Sequence, residues 1–116
     1  MHNFEKLIFW QKSIDLAKGI YLFCLQLPAD EKFGLISQLK RSVVSIASNI
    51  AEGAGRNSNK EFSHFLGIAN GSSFELQTQL ILTRELGLIP EADINPLISL
   101  INEIQRMLYN FRNGLS

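Results

Sequence analysis

Residues 38–56 read QLKRSVVSIASNIAEGAGR, and two unlike faces can be drawn along them. Leu39, Val43, Ile46 and Ile50 recur at spacings of four, three and four, the apolar stripe of a helix laid against a partner. Gln38, Ser42, Ser45, Asn49 and Glu52 recur almost as regularly on another face, and all are polar. Solvated helix faces favour Lys and Glu, which lose little freedom in a helix, whereas Ser and Asn compete for backbone hydrogen bonds. Short polar side chains in register therefore predict a packed, hydrogen-bonded interface, within the bundle or between subunits. A plain solvated face and a ligand contact are the alternatives. Gly53 and Gly55 are expected to end the helix, because glycine enters the left-handed conformation at no steric cost.

Working outward, the chain divides into four helical segments. Residues 4–27 carry two apolar seams, one from Leu7 through Trp10, Ile14, Ala17, Tyr21 and Cys24, the other from Phe9 through Leu16, Ile20, Phe23 and Leu27. Two seams predict cover on more than one side, by bundle neighbours and by another subunit. Pro28 ends this segment. Helix two is expected over about 31–52, with Asp30 as its cap. Ser58 followed by Glu61 forms a capping box that opens helix three, about 59–86. Its core seam is Phe62, Leu66, Ala69, Ser73, Leu76 and Leu80, and Gly87 closes it. The small residues of Gly67–Ser73 predict close approach of a neighbouring helix. Helix four is expected over about 96–113, with Asn95 as cap and Pro96 in the first position; a separate first turn over residues 90–94 is the alternative. Its seam, Leu97, Ile101, Ile104, Leu108, Phe111 and Leu115, is heptad-spaced. The reading is all-α: one domain, residues 1–116, an antiparallel up-down-up-down four-helix bundle.

The 116 residues are enough for a core without disulfides or metal. Cys24 is the sole cysteine, which excludes an internal disulfide and a cysteine zinc cluster and points to the cytoplasm. Glu5 and Lys6 precede only four apolar residues, unlike a secretory signal, and no stretch is long enough to cross a membrane. Net charge is zero, but residues 1–60 hold 8 Lys/Arg and 5 Asp/Glu while residues 61–116 hold 3 and 6. A basic half and an acidic half can bind sister copies as readily as a polyanion.

Lys40, Arg41, Arg56 and Lys60 are the candidate nucleic-acid contacts, since phosphate is held by Lys, Arg and helix N-termini. Glu52 and Glu61 lie close in sequence and compete for the same arginines. Glu61 and His64 have the Glu-x-x-His spacing of di-iron bundles, but such sites need two of these pairs and two further glutamates. The only other histidine, His2, lies at the terminus. No metal or cofactor is expected. Nor can a nucleophile-base set or phosphate loop be assembled, and Gly53-Ala54-Gly55 follows no strand, so no enzyme is expected.

Phe4, Leu7 and Trp10, then Gln38-Leu39-Lys40-Arg41, Ser45-Ile46, Asn49-Ile50-Ala51-Glu52-Gly53 and Arg56, then Ser58, Glu61-Phe62, Phe65-Leu66, Ile68-Ala69, Gly71-Ser72 and Glu75-Leu76, carry a likeness over nearly the whole chain. In these residues it resembles the bundle proteins encoded in intervening sequences of bacterial 23S rRNA genes. The resemblance implies a ring-like homopentamer; no biochemical role is established for that family. The chain is also similar to the accessory variability determinant of diversity-generating retroelements, a basic pentamer that binds nucleic acid and a reverse transcriptase. The resemblance thus implies a homo-oligomeric scaffold or adaptor for RNA or an RNA-bound protein; a protein-interaction module without nucleic acid is the alternative.

Overall fold

Leu39, Val43, Ile46 and Ile50 are all fully buried, so the apolar stripe read from residues 38–56 does face the core. The computed structural model describes residues 2–115. Its elements are four α-helices: α1 Ile8–Cys24, α2 Ser37–Ala54, α3 Asn59–Glu85 and α4 Glu91–Gly114, with no strand among the described residues. Contacts between them run in opposite residue order. Ser45 meets Ser72 where Gly53 meets Phe65, and Gln77 meets Gln105 where Ser63 meets Arg112. Likewise Phe9 packs on Phe111, while Lys12 pairs with Glu103. The packed body measures 44 × 23 × 20 Å.

The seams predicted for α3 and α4 form the centre. Phe62, Leu66, Ala69, Ser73, Leu76 and Leu80 are all buried, as are Ile101, Ile104 and Leu108. On α1 the seam of Phe9, Leu16, Ile20, Phe23 and Leu27 is buried, whereas Leu7, Trp10, Ile14 and Ala17 are half-buried and Tyr21 is exposed. Ser58 caps α3 by accepting the Glu61 N–H at 3.1 Å. At its other end Gly87, at φ 69°, closes a Schellman turn, with Leu88 N–H on Thr83 O at 3.3 Å and Gly87 N–H on Arg84 O at 3.0 Å.

Four boundaries differ from the reading of the sequence. The first segment is broken: Phe4–Lys6 is a 3-10 turn capped by Asn3, extended Leu7 separates it from α1, and i→i+3 bonds tighten the chain after Cys24. Asp30 is not the cap of α2. Glu31 accepts the Leu35 N–H at 3.3 Å, and Gly34, at φ −104° and ψ −108°, interrupts the helical path before Ser37. Nor does α4 wait for Pro96. It starts after Pro90 because buried Ile89 and Ile94 hold its first turn on the core, and Asn95 accepts from Arg84 Nη1 at 2.9 Å instead of capping. Pro96 near the helix start forfeits one early backbone bond.

The fourth difference concerns Gly53 and Gly55. Neither is left-handed: Gly53 lies inside α2, and Gly55 has φ −82°. Gly53 is needed for close approach, since a Cβ there would stand 2.7 Å from Phe65 Cβ and 3.0 Å from Phe62 Cδ1. Of the small residues in α3, Gly67 makes room for Arg112, while a Cβ at Gly71 would meet nothing within 4 Å. Gly53→Ala is therefore expected to cost about 1–3 kcal/mol through overpacking. Gly71→Ala should gain roughly 0.5–1 kcal/mol of helix propensity. Urea unfolding of the two variants measures the difference, and the opposite order would contradict the close packing of α2 on α3.

Candidate polar surfaces

The polar face of α2 is split by the packing. Its middle is an interface within the chain: Ser45 Oγ and Ser72 Oγ are 2.7 Å apart across α2 and α3. Asn49 Nδ2 donates to Ser45 O at 2.8 Å and to Ser45 Oγ at 3.0 Å, which fixes that hydroxyl. Ser42 is buried beside them, whereas Gln38 and Glu52 at the two ends are exposed. Gln38 Oε1 accepts from Arg41 Nη2 at 3.1 Å, and Glu52 accepts from Arg56 Nη2 at 2.7 Å.

The four basic candidates do not form one patch. Lys40 and Arg41 sit near the start of α2, Arg56 and Lys60 beyond its end. At 1.5 Å per residue, Arg41 and Arg56 are roughly 22 Å apart along the axis. Lys40 Nζ rests over the Tyr21 ring at 4.9 Å, and the Arg56 guanidinium over Phe65 at 4.7 Å. Arg41 and Lys60 are exposed and form no ion pair among the described residues. Burial pushes the Cys24 thiol above its ordinary range, partly opposed by the charge of Lys40. His64 is exposed against the edge of Phe65, and no three His, Cys, Asp or Glu side chains converge as metal ligands among the described residues. His2 is not loose: its N–H donates to Ala54 O at 2.8 Å and its ring packs 4.9 Å from Phe62.

A further polar surface lies between α3 and α4. A cleft of about 410 Å³ walled by Phe74, Asn102 and Arg106 adjoins one of about 270 Å³ walled by Arg112, with Asn70 and Tyr109 shared by both. None of these residues was a candidate from the sequence. Asn102, Arg106, Tyr109 and Asn113 do recur at four, three and four along α4, a polar seam that the stronger apolar heptad obscures.

Four helices around one hydrocarbon core, with short polar side chains joining α2 to α3, define a helical-bundle module. The chain belongs to the 23S rRNA-intervening sequence protein family, whose profile matches residues 5–110. A crystal structure from the S23 ribosomal protein family of Bacteroides thetaiotaomicron, a protein of unknown function, is similar with a TM-score of 0.84 and 26% identity. The match covers 90% of this chain and 97% of that one. No curated protein matches the chain. The resemblance read from NIAEG and its flanking residues is thus borne out at the level of family.

Ser45→Ala is expected to cost about 1–2 kcal/mol, because it removes the partner of buried Ser72. The double variant with Ser72→Ala should cost less than the sum of the single ones in chemical denaturation. Strict additivity would mean that the hydroxyls are not coupled.

Proposed function

We propose that this chain is a non-enzymatic adaptor whose copies assemble into a ring-like homo-oligomer, a homopentamer as in the relatives it resembles, and whose surface holds RNA or an RNA-bound protein. The observation that carries the RNA half is the charge along α2 and the loop after it. Arg41 on α2 and Lys60 at the start of α3 are exposed and unpaired by acids among the described residues; Lys40 lies next to the first in sequence and Arg56 a turn before the second. Cations so placed gain by releasing counterions from a phosphate backbone. Assembly is supported by apolar side chains that the single chain leaves open. Leu22, Leu25 and Phe33, around the joint of α1 and α2, are 68%, 81% and 88% exposed. Exposed apolar groups gathered in one region mark interaction surfaces. The lone free thiol of Cys24 suits a reducing cytoplasm, where we place the protein.

A protein-interaction module without nucleic acid is the second reading. It is favoured by the Arg56–Glu52 pair at 2.7 Å and by Lys40 over Tyr21, which engage two of the four candidate cations. Fluorescence anisotropy with labelled RNA separates the readings. The first expects binding that weakens steeply between about 50 and 200 mM salt, and an Arg41→Ala, Lys60→Ala variant whose logarithmic salt slope is shallower by about one to two. Absence of binding at the lower salt would leave the protein-interaction module.

A further inference from the structure

We propose that the cleft between α3 and α4 is a site for single-stranded RNA, with unpaired bases stacked on Tyr109 and Phe74 and a phosphate on Arg112. This rests on the RNA reading above and adds where, and in which form, the strand is held.

Arg112 is the first reason. Its guanidinium is half-buried, lies against the bare backbone of Gly67, and among the described residues makes one long hydrogen bond, from Nε to Ser63 Oγ at 3.4 Å. A guanidinium has five N–H donors, and taking it out of water without an anion is costly. Among the described residues no carboxylate lines either part of the cleft. Glu103, on the same helix, is turned to Lys12 at 2.8 Å, and Glu75 lines the depression on the far side of Phe74. Residues 61–116 hold six acids and three arginines, yet two of those arginines and none of the acids face this cleft. The local field is positive within the acidic half of the chain, and an anion is its complement.

Aromatic and amide groups narrow the anion to a nucleotide chain. Tyr109 and Phe74 are 65% and 53% exposed, and neither ring packs on another aromatic among the described residues. Open aromatic faces beside cations are the stacking platforms of single-strand binding. Asn102 makes no side-chain hydrogen bond among the described residues, so its amide is free to meet a base edge. Gln105 is instead committed, donating to Ser73 Oγ at 3.1 Å and to Gln77 Oε1 at 3.0 Å, and forms part of the wall. A duplex keeps its bases stacked inside and has nothing to lay on these rings. A protein partner is a poorer fit, because among the described residues no aliphatic side chain lines the cleft to seat an apolar anchor.

Anisotropy with an unstructured labelled oligoribonucleotide of about ten nucleotides, and with a duplex of the same sequence, tests this. Tyr109→Ala should weaken single-strand binding about five- to fifty-fold, and Tyr109→Phe, which keeps the ring, should stay near the parent. Arg112→Gln should lower affinity and make the logarithmic salt slope shallower by about one. Circular dichroism melts check the fold, and light scattering the assembly. If the parent binds RNA and Tyr109→Ala and Arg112→Gln bind it equally well, the cleft is not the site, although the RNA reading stands. Equal loss for strand and duplex, or a variant that loses binding because its assembly falls apart, also overturns the proposal. A parent that binds no RNA removes the RNA reading and the cleft with it.

Discussion

The close approach of α2 to α3 at Gly53 governs the rest of the bundle. No side chain fits between that backbone and Phe65, so the two helices come into close contact there. Phe62, one turn from Phe65, packs in a cluster with His2 and Phe111, and Phe111 in turn packs on Phe9. Ala54, next to Gly53, offers its carbonyl to the N–H of His2. The tight contact at Gly53 thus lies beside the ring cluster where the N-terminal segment, α1 and α4 meet α3. Farther along the same seam, the Ser45–Ser72 pair satisfies two hydroxyls that this tight packing withdraws from water.

Such packing draws small and short polar residues inward and leaves several large apolar ones outside. Tyr21, Leu22 and Leu25 on and after α1, Phe33 in the connection, and Leu82 and Leu86 at the end of α3 are all exposed. The charged groups are divided in a similar way. Arg56 and Lys12 are consumed by acids of the chain itself, whereas Arg41, Lys60, Arg106 and Arg112 have no acidic partner among the described residues. The proposed assembly and the proposed RNA contact both draw on what the single bundle leaves unsatisfied.

The fold was largely legible in the sequence because its seams are local and periodic. The stripes Leu39–Ile50 and Phe62–Leu80 could be read residue by residue, as could Ser58 and Gly87, whose capping chemistry depends on a few neighbours. The role of Gly53 is not legible, because a glycine that bends the chain and one that admits a neighbour look alike until the neighbour is in place. The start of α4 is not legible from Pro96 and helix propensity alone, because Ile89 and Ile94 decide it by tertiary burial. The candidate surfaces were less legible. Lys40, Arg41, Arg56 and Lys60 are close in the chain, but a helix turns that closeness into length. The cleft of Tyr109 and Arg112 needs α3 as its second wall, and nothing in the sequence of α4 names that partner.

In the proposed assembly, sister copies cover the apolar side chains left open by this packing. Sedimentation velocity of the purified chain across a dilution series tests it most directly. One discrete species near five times the 13.1 kDa chain, holding together at low micromolar concentration, is the expected result. A compact, well-behaved 13.1 kDa monomer at every concentration would contradict it.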